Sequence, residues 1–147
     1  MKVFIDADGC PVVDIAVSSA AAYGVGTVII TDTSHIIERE NAVTITVEKG
    51  ADSADFKIAN MIKPGDIVVT QDYGLAAMCL ARGAEPINQN GLIFTDGNIE
   101  KMLYTRYVSK EIRRAGGRTK GPKKRTREQD EDFERALNSL LKKSCTP

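Results

Sequence analysis

The sequence predicts a three-layer α/β fold on a mostly parallel sheet, with a helical extension at its C-terminal side. Three observations carry that prediction. Short apolar runs alternate with helix-length segments through the first ninety residues, the spacing expected of βαβ crossovers. Those runs are nearly continuous rather than alternating, as strands buried on both faces must be. The chain also has 147 residues, 42% hydrophobic and 27% charged. That is enough to bury a core without disulfides or metal.

Each element follows from local chemistry. Residues 2–6 (KVFID) form an apolar run bounded by polar residues. Pro11 is expected at the first helical position, where its missing N–H is not needed. A helix rich in Ala and Val then runs to Tyr23 and is stopped by Gly24. Residues 25–31 (VGTVIIT) and 42–47 (AVTITV) are the second and third strands, joined through a polar turn or loop around Ser34–Asn41. A helix begins near Asp52 and runs through Ile62 until Pro64 and Gly65 end it. Residues 66–70 (DIVVT) make the fourth strand. Residues 73–82 (YGLAAMCLAR) make a helix closed by Gly83, and 85–88 (EPIN) a short fifth strand.

After residue 95 the pattern changes. Asn98–Ala115 reads as a helix with Ile99, Met102, Leu103 and Tyr107 facing inward and Arg106, Lys110, Arg113 and Arg114 on another face. Residues 116–125 (GGRTKGPKKR) contain no apolar residue and read as a flexible basic loop. Thr126 and Gln129 have capping-box spacing. Phe133, Ala136, Leu137, Leu140 and Leu141 then follow the stripe of an amphipathic helix. The expected organisation is an α/β domain over 1–115, a basic loop over 116–126 and a helix over 127–147. That helix packs on the domain or on a partner subunit, which would make a homodimer.

Composition excludes several classes. With no Trp and 5% aromatic residues, a large aromatic core or a sugar-stacking cleft is not expected. No run approaches ~18 apolar residues, and MKVFIDAD lacks the layout of a signal peptide. No membrane association is expected. Cys10, Cys79 and Cys145 supply neither a disulfide framework nor a CxxC knuckle, which fits a reduced, cytoplasmic compartment. The formal net charge of zero hides a division: residues 1–100 balance at −8 and residues 101–147 at +8.

The acids carry the functional reading. In a parallel sheet, function gathers where the strands' carboxyl ends open into loops. Asp6 ends the first strand, Asp8 lies two residues beyond, Asp72 follows the fourth strand, and Asp52 and Asp55 open the helix after the third. All five are expected to converge on one sheet edge. Clustered carboxylates resist ionisation unless a cation neutralises them, and hard ions such as Mg²⁺ or Mn²⁺ accept such oxygen ligands. Asp is equally a favoured helix cap, and Asp14, Asp55 and Asp72 stand near helix starts where capping alone accounts for them. Asp6 closes a strand and has no such role. Thr70 and Gln71 either bind phosphate or water, or merely finish a strand. Cys10, beside the acids at a helix N-terminus, is expected to have a lowered thiol pKa. It has no evident base partner, since His35 is the only histidine and sits in a polar loop; a packed small residue is the plainer reading.

The stretch holding Arg113, Arg114, Arg118, Lys120, Lys123, Lys124, Arg125 and Arg127 contains no acid. Such runs track phosphate backbones through counterion release. Combined with an acidic metal cleft, it points to a polyanionic partner, RNA before DNA; a solvated tail, or one docked on the acidic body, is the alternative. Tyr104 and Tyr107 flank the basic face and can stack on bases, although Tyr107 also lies on the apolar stripe and is expected to pack inward.

The strings IDADGCPV, GADSAD and VTQDYGLAAMCLARGA, followed by the NI…L…R…GP…F…L layout, resemble the bacterial YaiI/YqxD family over nearly the whole chain. That family supplies a group name rather than an activity. Its fold looks similar to PIN and NYN-type domains, a scaffold associated with Mg²⁺- or Mn²⁺-dependent ribonucleases. The likeness implies metal ligands at Asp6 and Asp72, with Asp8 adjacent. Asp52 or Asp55 would take a helical position where PIN domains usually place Glu. VFIDADG also resembles the motif of haloacid-dehalogenase-type phosphatases. There Asp6 would be the nucleophile, Asp8 the general acid/base, Thr31 the residue closing the second strand and Asp72 a Mg²⁺ ligand. Against that likeness, Cys10-Pro11 replaces an expected Thr, and Lys57 is the one candidate for a phosphate-clamping Lys. The expected activity is therefore divalent-metal-dependent nuclease, with a phosphatase and a non-catalytic RNA-binding or adaptor protein as alternatives.

Overall fold

The computed structural model describes residues 1–34, 36–50, 53–116 and 124–145, with the backbone alone for Ser53, Arg106, Ser144 and Cys145. Strands β1 (Lys2–Asp6), β2 (Gly26–Asp32), β3 (Ala42–Val47), β4 (Ile67–Val69) and β5 (Glu85–Ile87) form one sheet. Helices α1 (Val13–Ala22), α2 (Ser53–Met61), α3 (Tyr73–Ala81), α4 (Asp96–Arg114) and α5 (Arg127–Cys145) complete the chain. All strand pairs are parallel, in the order β3-β2-β1-β4-β5. The chain thus builds outward from β1 to β3, then crosses to the other side of β1 for β4 and β5. The switch point of the topology lies between β1 and β4.

Strand side chains alternate between faces, and the core divides accordingly. Val3, Ile5, Ile29, Ile67, Val69 and Ile87 pack with α1 and α5, whereas Phe4, Val28, Ile30 and Val68 pack with α2 and α3. This is the expected three-layer arrangement. The stripe of α5 is spent inside the chain, because Phe133, Leu137, Leu140 and Leu141 are all buried against the α1 layer. The helix therefore docks on its own domain, and the subunit-interface alternative loses the apolar face it needed. Its capping box forms: Thr126 N–H donates to Gln129 Oε1 at 2.9 Å, and Gln129 N–H to Thr126 Oγ1 at 3.3 Å. No described helix is long and apolar enough to cross a membrane.

Three expectations need correction. Helix α1 starts at Val13 rather than Pro11, because residues 7–10 close a tight turn first, with Cys10 N–H on Ala7 O at 3.1 Å and Gly9 at φ 64°. Helix α4 starts at Asp96, two residues before the expected Asn98, since the Asn98 amide oxygen accepts the Thr95 N–H at 2.9 Å and fixes the first turn. Finally, Leu103 and Tyr107 do not face inward; they are 36% and 60% exposed. Only Ile99 and Met102 reach the small cluster around Ala76 and Phe94. At 1.5 Å per residue, α4 runs about 28 Å against about 13 Å for α3, so half of it outruns the helix on which it packs.

Candidate active site

The switch point brings two strand ends together. Ile5 pairs with Val69, so Asp6 and Thr70 emerge side by side. Thr70, 2% exposed, donates its hydroxyl to Asp6 Oδ2 at 3.0 Å and accepts the Asp72 N–H at 3.0 Å. One buried hydroxyl thus fixes both the carboxylate and the start of the next loop. Asp72 is the N-cap of α3, with Oδ1 accepting from Gly74 N–H at 2.8 Å and Leu75 N–H at 3.1 Å. Gln71 Nε2 donates to Gly9 O at 3.0 Å, tying the β4–α3 loop to the β1–α1 turn.

Above these strand ends opens a cleft of about 630 Å³. Asp6, Asp8, Asp32, Glu48, Asp55 and Asp72 line it, with Gln71, Thr31 and Tyr73, and no Lys or Arg among the described residues does. Asp6 is half-buried. Burial pushes its carboxyl above the usual range; the Thr70 hydroxyl opposes this, while the charges of Asp72 and Asp8 add to it. Asp55 stands in the first turn of α2, where an acid complements the helix dipole. Of the five expected acids, four line one cleft; Asp52 lies outside the described residues.

Two further acids of the cleft escape the sequence reading. Asp32 closes β2 as Asp6 closes β1, and Glu48 directly follows β3. The positional argument used for the first and fourth strands reaches both when applied to the second and third. Asp32 accepts the Ser34 N–H at 2.9 Å and the Ser34 hydroxyl, which holds it in a local turn.

Whether these residues fit a divalent cation depends on their number and spacing. Among the described residues, no group of three or more His, Cys, Asp or Glu stands close enough to hold a metal ion. A wholly protein-built cage is therefore absent there. One or two carboxylates completed by waters and phosphate oxygens is the way Mg²⁺ is ordinarily held, and Asp6 with its near neighbours fits that mode.

Cys10 is not an activated thiol. Burial raises its pKa, an effect only partly opposed by the Val12 backbone and Arg125, and it packs against the α1 layer of the core. The helix-terminus argument fails because α1 begins three residues later. Cys79 is likewise a core residue, its thiol pushed up to about 12 by burial.

Residues 4–143 match the sequence pattern of a family described as uncharacterised, YaiI/YqxD. The chain belongs to the YaiI/YqxD family. Three relatives, each named a UPF0178 protein, show how closely the family holds together. The chain is 56% identical to one from Exiguobacterium sibiricum over 141 residues, 96% of each chain. It is 51% identical to one from Ruminiclostridium cellulolyticum over 142 residues, covering 97% of this chain and 93% of the relative. For one from Enterococcus faecalis the identity is 44% over 147 residues, covering 98% and 99%. No solved structure matches the chain.

In this member of the YaiI/YqxD family the basic residues divide by location. Lys110, Arg113 and Arg114 are exposed on α4, Arg114 reaching Glu111 at 3.4 Å. Lys124 is exposed as well. Arg125 is committed internally: Nε meets Asp130 at 2.6 Å, Nη1 donates to Asn90 Oδ1 at 2.8 Å, and Nη2 to Gln89 O at 2.6 Å. It ties the start of α5 to the loop after β5. Arg127 faces Glu131 at 3.3 Å on an open surface. Arg118, Lys120 and Lys123 lie outside the described residues with most of the basic loop, as does His35, and the Arg106 side chain is not described.

Proposed function

We propose that this protein hydrolyses phosphodiester bonds in nucleic acid, RNA before DNA, with Mg²⁺ or Mn²⁺ in the switch-point cleft. One observation carries the reading: six carboxylates and no described Lys or Arg line a cleft at the place where parallel α/β sheets bind their ligands. A phosphate group entering it would meet only negative charge, so a cation is the economical complement. Asp6 and Asp72 would hold the ion, with Asp8 and Asp55 beside them. When bound, it would supply charge neutralisation and a more acidic water. Thr70 keeps Asp6 in position, and the Gln71 bridge keeps Asp8's turn facing the α3 N-terminus.

The same lining disfavours the phosphatase alternative, which needs a cationic clamp on its monoester. Beyond the VFIDADG likeness, what favours it is Thr31, a buried hydroxyl at the cleft with no hydrogen-bond partner. The test is cleavage of an end-labelled RNA oligonucleotide in Mn²⁺ or Mg²⁺, with and without EDTA. The expected outcome is metal-dependent cleavage, abolished in Asp6→Asn while RNA binding persists. Binding without cleavage at any metal concentration would favour the adaptor reading. Turnover of p-nitrophenyl phosphate with phosphate trapped on Asp6 would favour the phosphatase.

A further inference from the structure

We propose that the outer face of α4 is a binding surface for single-stranded nucleic acid. The inference rests on the nucleic-acid reading above and adds where the strand lies and that it is unpaired. At 100° per residue, Leu103, Tyr104, Tyr107, Lys110 and Arg114 fall within about a third of the helix circumference. None is buried: Tyr104 is 68% exposed and Tyr107 60%, and Lys110 and Arg114 are open to solvent. Arg113 extends the cationic face around the helix. Two acids share the stripe: Glu111, engaged by Arg114, and the exposed Glu100 at the end nearer the start of the helix.

Two aromatic rings followed along the helix by two cations suit bases that can stack and phosphates that can be neutralised, whatever the sequence. A duplex keeps its base faces stacked inside and offers the tyrosines nothing. A protein partner suits the face less well, since interface cores are depleted of Lys and lined by continuous apolar surface. The charge division supports the same partner, because the chain from residue 101 onward balances at +8.

The face is also joined to the cleft. Tyr73, on the cleft wall, packs edge-on against Phe94 with ring centroids 5.8 Å apart. Phe94 in turn packs with Ile99 in the first turn of α4. A strand gripped on α4 therefore runs from a helix anchored directly beside the acidic cleft.

Fluorescence anisotropy in EDTA, where no cleavage can occur, tests this with a fluorescein-labelled 12-mer oligouridylate and a blunt RNA duplex of equal length. The single strand should bind more tightly than the duplex. Tyr104→Ala with Tyr107→Ala should weaken it by about tenfold or more, whereas the Phe pair should retain most of the affinity. Lys110→Ala with Arg114→Ala should flatten the slope of log affinity against log salt by about 0.7 per phosphate left unneutralised. Equal binding of duplex and single strand, an alanine pair that binds like wild type, or no binding by wild type would each overturn the proposal. Self-association abolished in the alanine pair would also overturn it, and would assign the face to a second copy. Failure of the cleft reading looks different: the oligonucleotide binds but is not cut when metal is restored.

Discussion

Asp72 caps a helix and lines the cleft with the same carboxylate. Its Oδ1 caps α3, and its charge acts on Asp6. The two roles separate by substitution. Asp72→Asn keeps a good capping side chain and removes the charge; Asp72→Ala removes both. Thermal or urea denaturation should find the Ala variant about 0.5–2 kcal/mol less stable, the Asn variant close to wild type, and both impaired in metal-dependent cleavage. An Asn variant that cuts normally would leave Asp72 with a structural role alone. Both roles are legible in sequence, because an acid two residues past a strand and at a helix start invites each reading. Thr70 is less so: nothing local shows that its hydroxyl will bridge Asp6 and the Asp72 N–H, since the bond to Asp6 spans 64 residues of sequence. Asp32 and Glu48 follow from strand ends alone, by the same rule that finds Asp6. Cys10 does not, because a two-residue error in a helix start, Val13 for Pro11, removes the basis of a dipole argument.

At the scale of elements, α5 is the part whose docking the sequence leaves open. Its apolar stripe proves complete within one chain, and Arg125 ties its start to Asn90 and Gln89. Gly91 completes the seat: its φ is +89°, and a Cβ there would stand 2.6 Å from Asp132 O, so only glycine lets the loop lie against α5. Leu137→Ala should therefore cost the whole domain about 2–5 kcal/mol, read as a lower urea midpoint. An unchanged midpoint would mean that α5 is not part of the folded core. Helix α4 teaches the converse. Its stripe predicts burial for Leu103 and Tyr107, but periodicity reports only that a face is apolar. Whether a partner element reaches that far depends on the length of α3, which lies in another part of the sequence.

For the molecule as a whole, alternation of strands and helices is enough to predict a parallel three-layer sheet, while the strand order is not written in any local signal. That order assembles the acidic cleft, because placing β4 beside β1 is what sets Asp72 against Asp6. The cleft stands on a segment, residues 1–100, that balances at −8, and most of α4 belongs to a segment, residues 101–147, that balances at +8. In the proposed function the two would serve different parts of one complex: a cation in the cleft and a polyanion along the helix. The proposed function requires the cleft carboxylates to act together on a single divalent ion. Calorimetric titration of Mn²⁺ into the wild type beside Asp6→Asn tests it most directly. Saturable binding of one ion, abolished in the variant, is the expected result; no binding at millimolar Mn²⁺, or equal binding by both proteins, would contradict it.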